Sequence, residues 1–75
     1  MMSPEEITQL FYERMKAEAI PAEPHYVAFT NKHWDRYKAI KQDFCNQHGL
    51  FADSLYNLGP LQEGVMRYLD EVNGK

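Results

Sequence analysis

The chain is short of most things that staple a small protein together. It has a single cysteine, Cys45, so no internal disulfide can form. No apolar stretch approaches the ~20 residues of a membrane span, so a membrane is not among the expected partners. The four glycines stand apart at Gly49, Gly59, Gly64 and Gly74, which leaves no glycine-rich loop to cradle a phosphate. Cations are outnumbered: eight Lys and Arg face eleven Asp and Glu, for a net charge of −3. That balance disfavours bulk nucleic-acid binding, whose affinity comes mostly from Lys and Arg neutralising phosphates. The first residues, Met1 to Glu6, are acidic where a secretion signal would be basic and then apolar. A lone cysteine fits a reducing compartment, so the expected location is cytoplasmic.

What is present is apolar and aromatic. Apolar residues make up 44% of the chain, with one Trp, five Tyr and four Phe, which is enough to build a core. The 75 residues imply one domain, spanning 1–75. A domain of this size buries only roughly 60% of the surface its unfolded chain exposes, so its stability is marginal. Without a disulfide or a supported metal, a second copy or a standing partner becomes the expected source of extra stability.

The hydrophobic pattern is helical, and the expected fold is all-α, a small compact bundle of three to four helices. Ser3, Pro4 and Glu6 spell a capping box with proline at the first helical position, and Met2 and Ile7 occupy the staple positions. Ile7, Leu10, Phe11 and Met15 recur at helical spacing, and Pro21 and Pro24 end this helix near Glu18 to Ile20. Arg14 and Glu18 are four apart and read as an ion pair. Residues 26–29 fit either a short extended segment or the first turn of a longer helix; the extended reading is preferred, because Thr30 makes a good N-cap and Phe29 and Trp34 then form a second staple. The second helix is expected from about Asn31 to His48, with Gly49 as its left-handed terminator and Leu50 as the apolar residue after it. A short third helix is expected over Ala52 to Leu58. Gly59-Pro60 then restarts the chain into a fourth, about Pro60 to Val72. Its stripe is Leu61, Val65, Tyr68, Leu69 and Val72, with Gly64 beside it to admit another helix closely.

No motif assembles a catalytic set. Cys45 and His48 are three apart, but zinc needs three or four protein ligands, and His25 and His33 stand alone. Cys45 lacks a glycine-rich turn that could form an oxyanion hole. The carboxylate pairs Glu5-Glu6 and Asp70-Glu71 are adjacent in sequence and so diverge on a helix. The expectation is therefore no catalytic residue, no metal and no cofactor.

Two binding readings remain. Lys32, Arg36, Lys38 and Lys41 are clustered with Trp34 and Tyr37, which could stack on bases. Helical phasing divides them, with Lys32 and Arg36 on one side of the apolar stripe and Lys38 and Lys41 on the other. Phe44, Cys45, Gly49, Leu50, Leu55 and Leu58 have spacing like a helix-turn-helix, yet no Lys or Arg occurs between Lys41 and Arg67. The lead expectation is thus a non-enzymatic protein-binding module, self-associating, with Trp34, Tyr37, Lys38, Lys41, Phe51 and Tyr56 as contact residues. Its size and acidity suit a small accessory, regulator or inhibitor protein of bacterial or phage type. A nucleic-acid-binding regulator using Lys32, Arg36, Lys38 and Lys41 is the alternative.

Overall fold

The capping box at Ser3 forms as the sequence implies. Ser3 Oγ accepts from the Glu6 N–H at 3.2 Å, and Glu6 Oε1 accepts from the Ser3 N–H at 3.0 Å. A computed structural model describes residues 2–75, and this box opens its first helix, α1 (Pro4–Glu18). Three more helices follow: α2 (Tyr26–Lys32), α3 (Trp34–His48) and α4 (Leu55–Val72). Among the described residues there is no strand. The architecture is a small all-α bundle.

Two boundary expectations are corrected. Residues 26–29 are not extended; they form the first turn of α2. Its N-cap is His25, whose Nδ1 accepts from the Ala28 N–H at 3.2 Å. The imidazole does what a Ser, Thr or Asn usually does at this position. Thr30, read as a cap, lies inside α2 and donates its hydroxyl to the Val27 carbonyl. The second long helix therefore starts at Trp34, and Asn31 and Lys32 belong to α2. The break falls at His33, whose φ of −114° and ψ of 28° depart from helical values.

The second correction concerns Gly59-Pro60. The segments expected over Ala52 to Leu58 and Pro60 to Val72 are one helix, α4, which runs through Pro60. A proline costs a helix its own N–H and a clash with the carbonyl four residues back. Here that carbonyl belongs to Tyr56, in the first turn, where the helix tolerates distortion best. The residue before a proline is normally pushed out of the helical region by its Cβ, and Gly59 has none. The Pro60 carbonyl also accepts a hydrogen bond from Thr8 Oγ1 of α1 at 3.1 Å.

The α1 and α4 helices run side by side in the same direction, because Thr8 meets Pro60 and Lys16 meets Glu71. Gly64 makes the approach possible. A Cβ there would lie 3.0 Å from the Thr8 carbonyl oxygen and 3.1 Å from the Tyr12 nitrogen. The α3 helix returns antiparallel to α1, as the pairs Arg14–Asp43 and Glu18–Arg36 show. Arg14 also closes the expected pair with Glu18 at 2.8 Å.

The core lies between these three helices. Ile7, Phe11 and Met15 of α1 meet Tyr37, Ile40, Phe44 and Cys45 of α3 and Leu61, Val65, Tyr68 and Leu69 of α4. Phe11 packs edge-on against Phe44, with ring centroids 4.9 Å apart. Leu10 and Val72, assigned to the stripes, are left partly outside. Gly49 adopts φ 66°, and the Leu50 N–H bonds back to the Cys45 carbonyl at 2.8 Å, as a glycine-terminated helix end requires.

Candidate protein-binding surface

The bundle has two unlike ends, and the two most exposed large apolar residues share one of them. At this end α3 terminates, residues 49–54 turn the chain, and α4 begins. Leu50 and Ala52 lean on the core while Phe51 and Leu55 face outward. Phe51 is 82% exposed and Leu55 is 87% exposed. The turn that carries them is held from within. Asn57 is buried and donates its side-chain N–H to the Phe51 carbonyl at 2.9 Å, and the Ser54 N–H reaches the same oxygen. The backbone is thus pinned while both side chains are turned out, the arrangement that gives a loop on a rigid scaffold a defined contact surface. Tyr56 is half-exposed beside them, and its hydroxyl is 3.5 Å from the Met2 carbonyl.

An open groove of about 430 Å³ lies behind this corner, floored by Cys45 and Leu50 and rimmed by Phe51 and Asp53. Burial pushes the Cys45 thiol pKa up, and Lys41 opposes that only in part. A thiol held protonated is a packing group in its present state. His48 stacks on Phe44 with centroids 4.5 Å apart. Among the described residues no group of three or more His, Cys, Asp and Glu is placed to hold a metal ion, and no helix is long and apolar enough to cross a membrane.

The residues singled out from the sequence do not form one patch. Phe51 and Tyr56 belong to the corner just described. Trp34 is half-exposed at the start of α3, far up that helix from the groove. Lys38 is exposed along the same helix, and the Lys41 ammonium sits 5.7 Å from the centre of the Tyr37 ring. Tyr37 itself is only 2% exposed, packed edge-on against Phe29 and Tyr26. It supports Trp34 and Lys41 from below and offers no contact area of its own. Burial and the Tyr26 hydroxyl push its pKa far up.

The cations proposed for nucleic acid are divided by their partners as well as by phase. Lys32 lies 3.6 Å from Glu23 Oε2. Arg36 donates to the Glu18 carbonyl at 2.9 Å and faces the Glu18 carboxylate. Lys38 and Lys41 remain on the other flank.

Leu55, the most exposed large apolar residue, belongs to the apolar run Leu50 to Leu61 but not to the six contact residues named from the sequence. The signal was present in the stripe of α4. Counting back from Leu61 at helical spacing reaches Asn57 and Leu58, and Leu55 falls off that face. A break assumed at Gly59-Pro60 hides this phase. Compared with protein-family models, curated proteins and solved structures, the chain matches none.

Proposed function

We propose that this chain is a non-enzymatic protein-binding module, a small accessory, regulator or inhibitor that acts by contact. The observation carrying this reading is the outward placement of Phe51 and Leu55 on a hydrogen-bonded turn. Two large apolar side chains so exposed keep a hydration cost that burial against another surface would relieve, at ~25 cal/mol per Å². The nucleic-acid alternative draws less support, since two of its four cations are committed to Glu18 and Glu23.

Self-association belongs to the proposal, but not through Leu61 to Val72. Leu61, Val65, Tyr68 and Leu69 of that stripe are used inside the chain, and only Val72 is left half-exposed. The outer side of α3 suits a second copy better. Asp35 and Lys38 stand three apart beside exposed Ala39, so a two-fold axis would set Asp35 of each copy against Lys38 of the other.

Light scattering across a concentration series, together with affinity capture from cells, tests the proposal. Wild-type protein should show either concentration-dependent mass or a captured protein, and replacing Phe51 and Leu55 by Ser should remove the captured protein. A strict monomer whose captured set is the same with and without Phe51 and Leu55 would sink the reading.

A further inference from the structure

We propose that α2 is a proton-sensitive segment whose two ends answer acid in opposite ways: protonation of His25 uncaps its first turn, and protonation of His33 tightens its last residues onto Glu23. The device does not depend on what binds the Phe51–Leu55 corner. Two histidines bracket α2, His25 as its N-cap and His33 as its C-cap. His25 Nδ1 accepts the Ala28 N–H at 3.2 Å. A ring nitrogen accepts only while it carries no proton, so this cap exists only with that nitrogen unprotonated. The imidazolium has two donors and no acceptor, and it sets a positive charge at the positive end of the helix. With only 7 residues, α2 has little helical stability of its own to spare. Loss of the cap frees the turn that carries Tyr26, whose ring meets Tyr37 edge-on with centroids 6.5 Å apart.

The other end is built in the reverse sense. His33 Nε2 lies 3.2 Å from Glu23 Oε2, and each side chain keeps only 16% of its surface exposed. The ring donates to a carboxylate there, and a proton on its second nitrogen makes the bond charge-assisted. Lys32 shares the same carboxylate oxygen at 3.6 Å, and the Phe29 ring packs on His33 with centroids 5.3 Å apart. From α3, Asp35 and Arg36 line the cleft beside His33, and Arg36 is already engaged by Glu18 of α1. Around His25 the charges offset: Asp70 and Lys75 line the small cleft it shares with Tyr26, one of each sign. Acid therefore loosens Tyr26 to Ala28 while the junction of α2 with α3 is held through Glu23.

A group that must be neutral in the fold removes stability as the pH falls, and a group whose charged form the fold favours adds it. Amide exchange and urea unfolding of the full chain between pH ~7.5 and ~5, the range of imidazole titration, test both ends. The Ala28 amide reports the cap directly. Its protection, corrected for intrinsic exchange, should fall about fivefold on acidification, the change in open population that one N-cap supports. His25→Asn supplies a side-chain acceptor that no proton removes, and its Ala28 protection should change by less than about twofold. Wild-type protection that does not fall, or that falls equally in His25→Asn, would overturn the proposal at the first turn. At the other end, the urea midpoint of His25→Asn should exceed that of His25→Asn with His33→Asn, and the margin should widen by about 0.3 M or more as the pH is lowered. Comparing these two variants cancels the carboxylates they share. Should His33→Asn not fold, Glu23→Gln in the His25→Asn background makes the comparison, since it removes the carboxylate and keeps the ring. A margin that stays constant or shrinks on acidification would overturn the opposed response.

Discussion

The two ends of the bundle are built by opposite means. At one end the C-termini of α1 and α4 meet residues 19–25 and α2, and side chains tie these segments together across the chain. The buried Tyr68 hydroxyl donates to the Ile20 carbonyl at 2.7 Å. The Asn73 side chain donates to the Glu23 carbonyl at 2.9 Å, while the Glu23 carboxylate lies 3.2 Å from His33 Nε2. Phe29 and Ile20 are sealed beneath. At the other end one turn is pinned by Asn57 and its two large side chains are left in solvent. Hydrogen bonds between segments distant in sequence mark the first end, and the two most exposed apolar side chains mark the second. A domain of 75 residues buries a smaller share of its surface than a larger one does, so the two ends differ in how that exposed share is distributed.

Substitutions can break this contrast, and the largest effect should come from the tied end. Phe29→Ala removes a ring with 0% exposure and should cost about 3–5 kcal/mol in urea unfolding. Phe51→Ala, the same truncation at the open end, should change stability by about 0.5 kcal/mol or less. Similar losses at both positions would erase the distinction between the ends.

Between the ends lies the α1–α4 seam. Gly64→Val sets a branched side chain against the backbone of Thr8 and Tyr12, which cannot move as a side chain would. Overpacking of this kind costs about 1–3 kcal/mol, so the melting temperature should fall by several degrees. An unchanged melting temperature would mean that the two helices do not touch at Gly64.

Tyr68→Phe should cost about 1–2 kcal/mol, because the Ile20 carbonyl then loses a buried donor. A linked effect appears with pH. Burial raises the pKa of Tyr37 and of Tyr68 above the ordinary tyrosine value of 10.0. The folded state therefore holds these protons more tightly than the unfolded chain. Their contribution to stability is complete below pH ~10 and declines above it, as only the unfolded state ionises freely. Tyrosinate absorbance and loss of helicity should rise together in that range, and Tyr37→Phe should delay the transition. Five tyrosines ionising gradually with the helices intact would refute this.

The smallest effect sharpens the comparison most. Phe51→Ser with Leu55→Ser should leave thermal stability within about 0.5 kcal/mol or raise it slightly, while abolishing partner contact. A clear loss of stability would show that the corner is structural.

Much of this could be read from local chemistry. Ser3, Glu6, Gly49 and Gly64 each act through the backbone within a turn or through the absence of a Cβ, and all four behave as their sequence context implies. The errors fell where a local rule met a tertiary demand. Thr30 is the better intrinsic cap, but burying Phe29 starts α2 at Tyr26, with His25 as its cap. Gly59-Pro60 is a strong local breaker, yet α1 packs along α4 through Thr8–Pro60 and Gly64 and holds the helix continuous. Of the contact residues, Trp34, Phe51 and Tyr56 are exposed, whereas Tyr37 is enclosed by Phe11, Phe29 and Tyr26.

The amino-acid sequence by itself determined an all-α chain, the two helix ends marked by capping box and glycine, and the close approach at Gly64. These follow from periodicity and from backbone groups whose partners lie within a few residues. Only the tertiary structure decided which aromatics face solvent, which cations are already paired, and that α4 runs unbroken. Those outcomes depend on contacts between residues as distant as Ile20 and Tyr68 or Thr8 and Pro60, and no local window contains both partners.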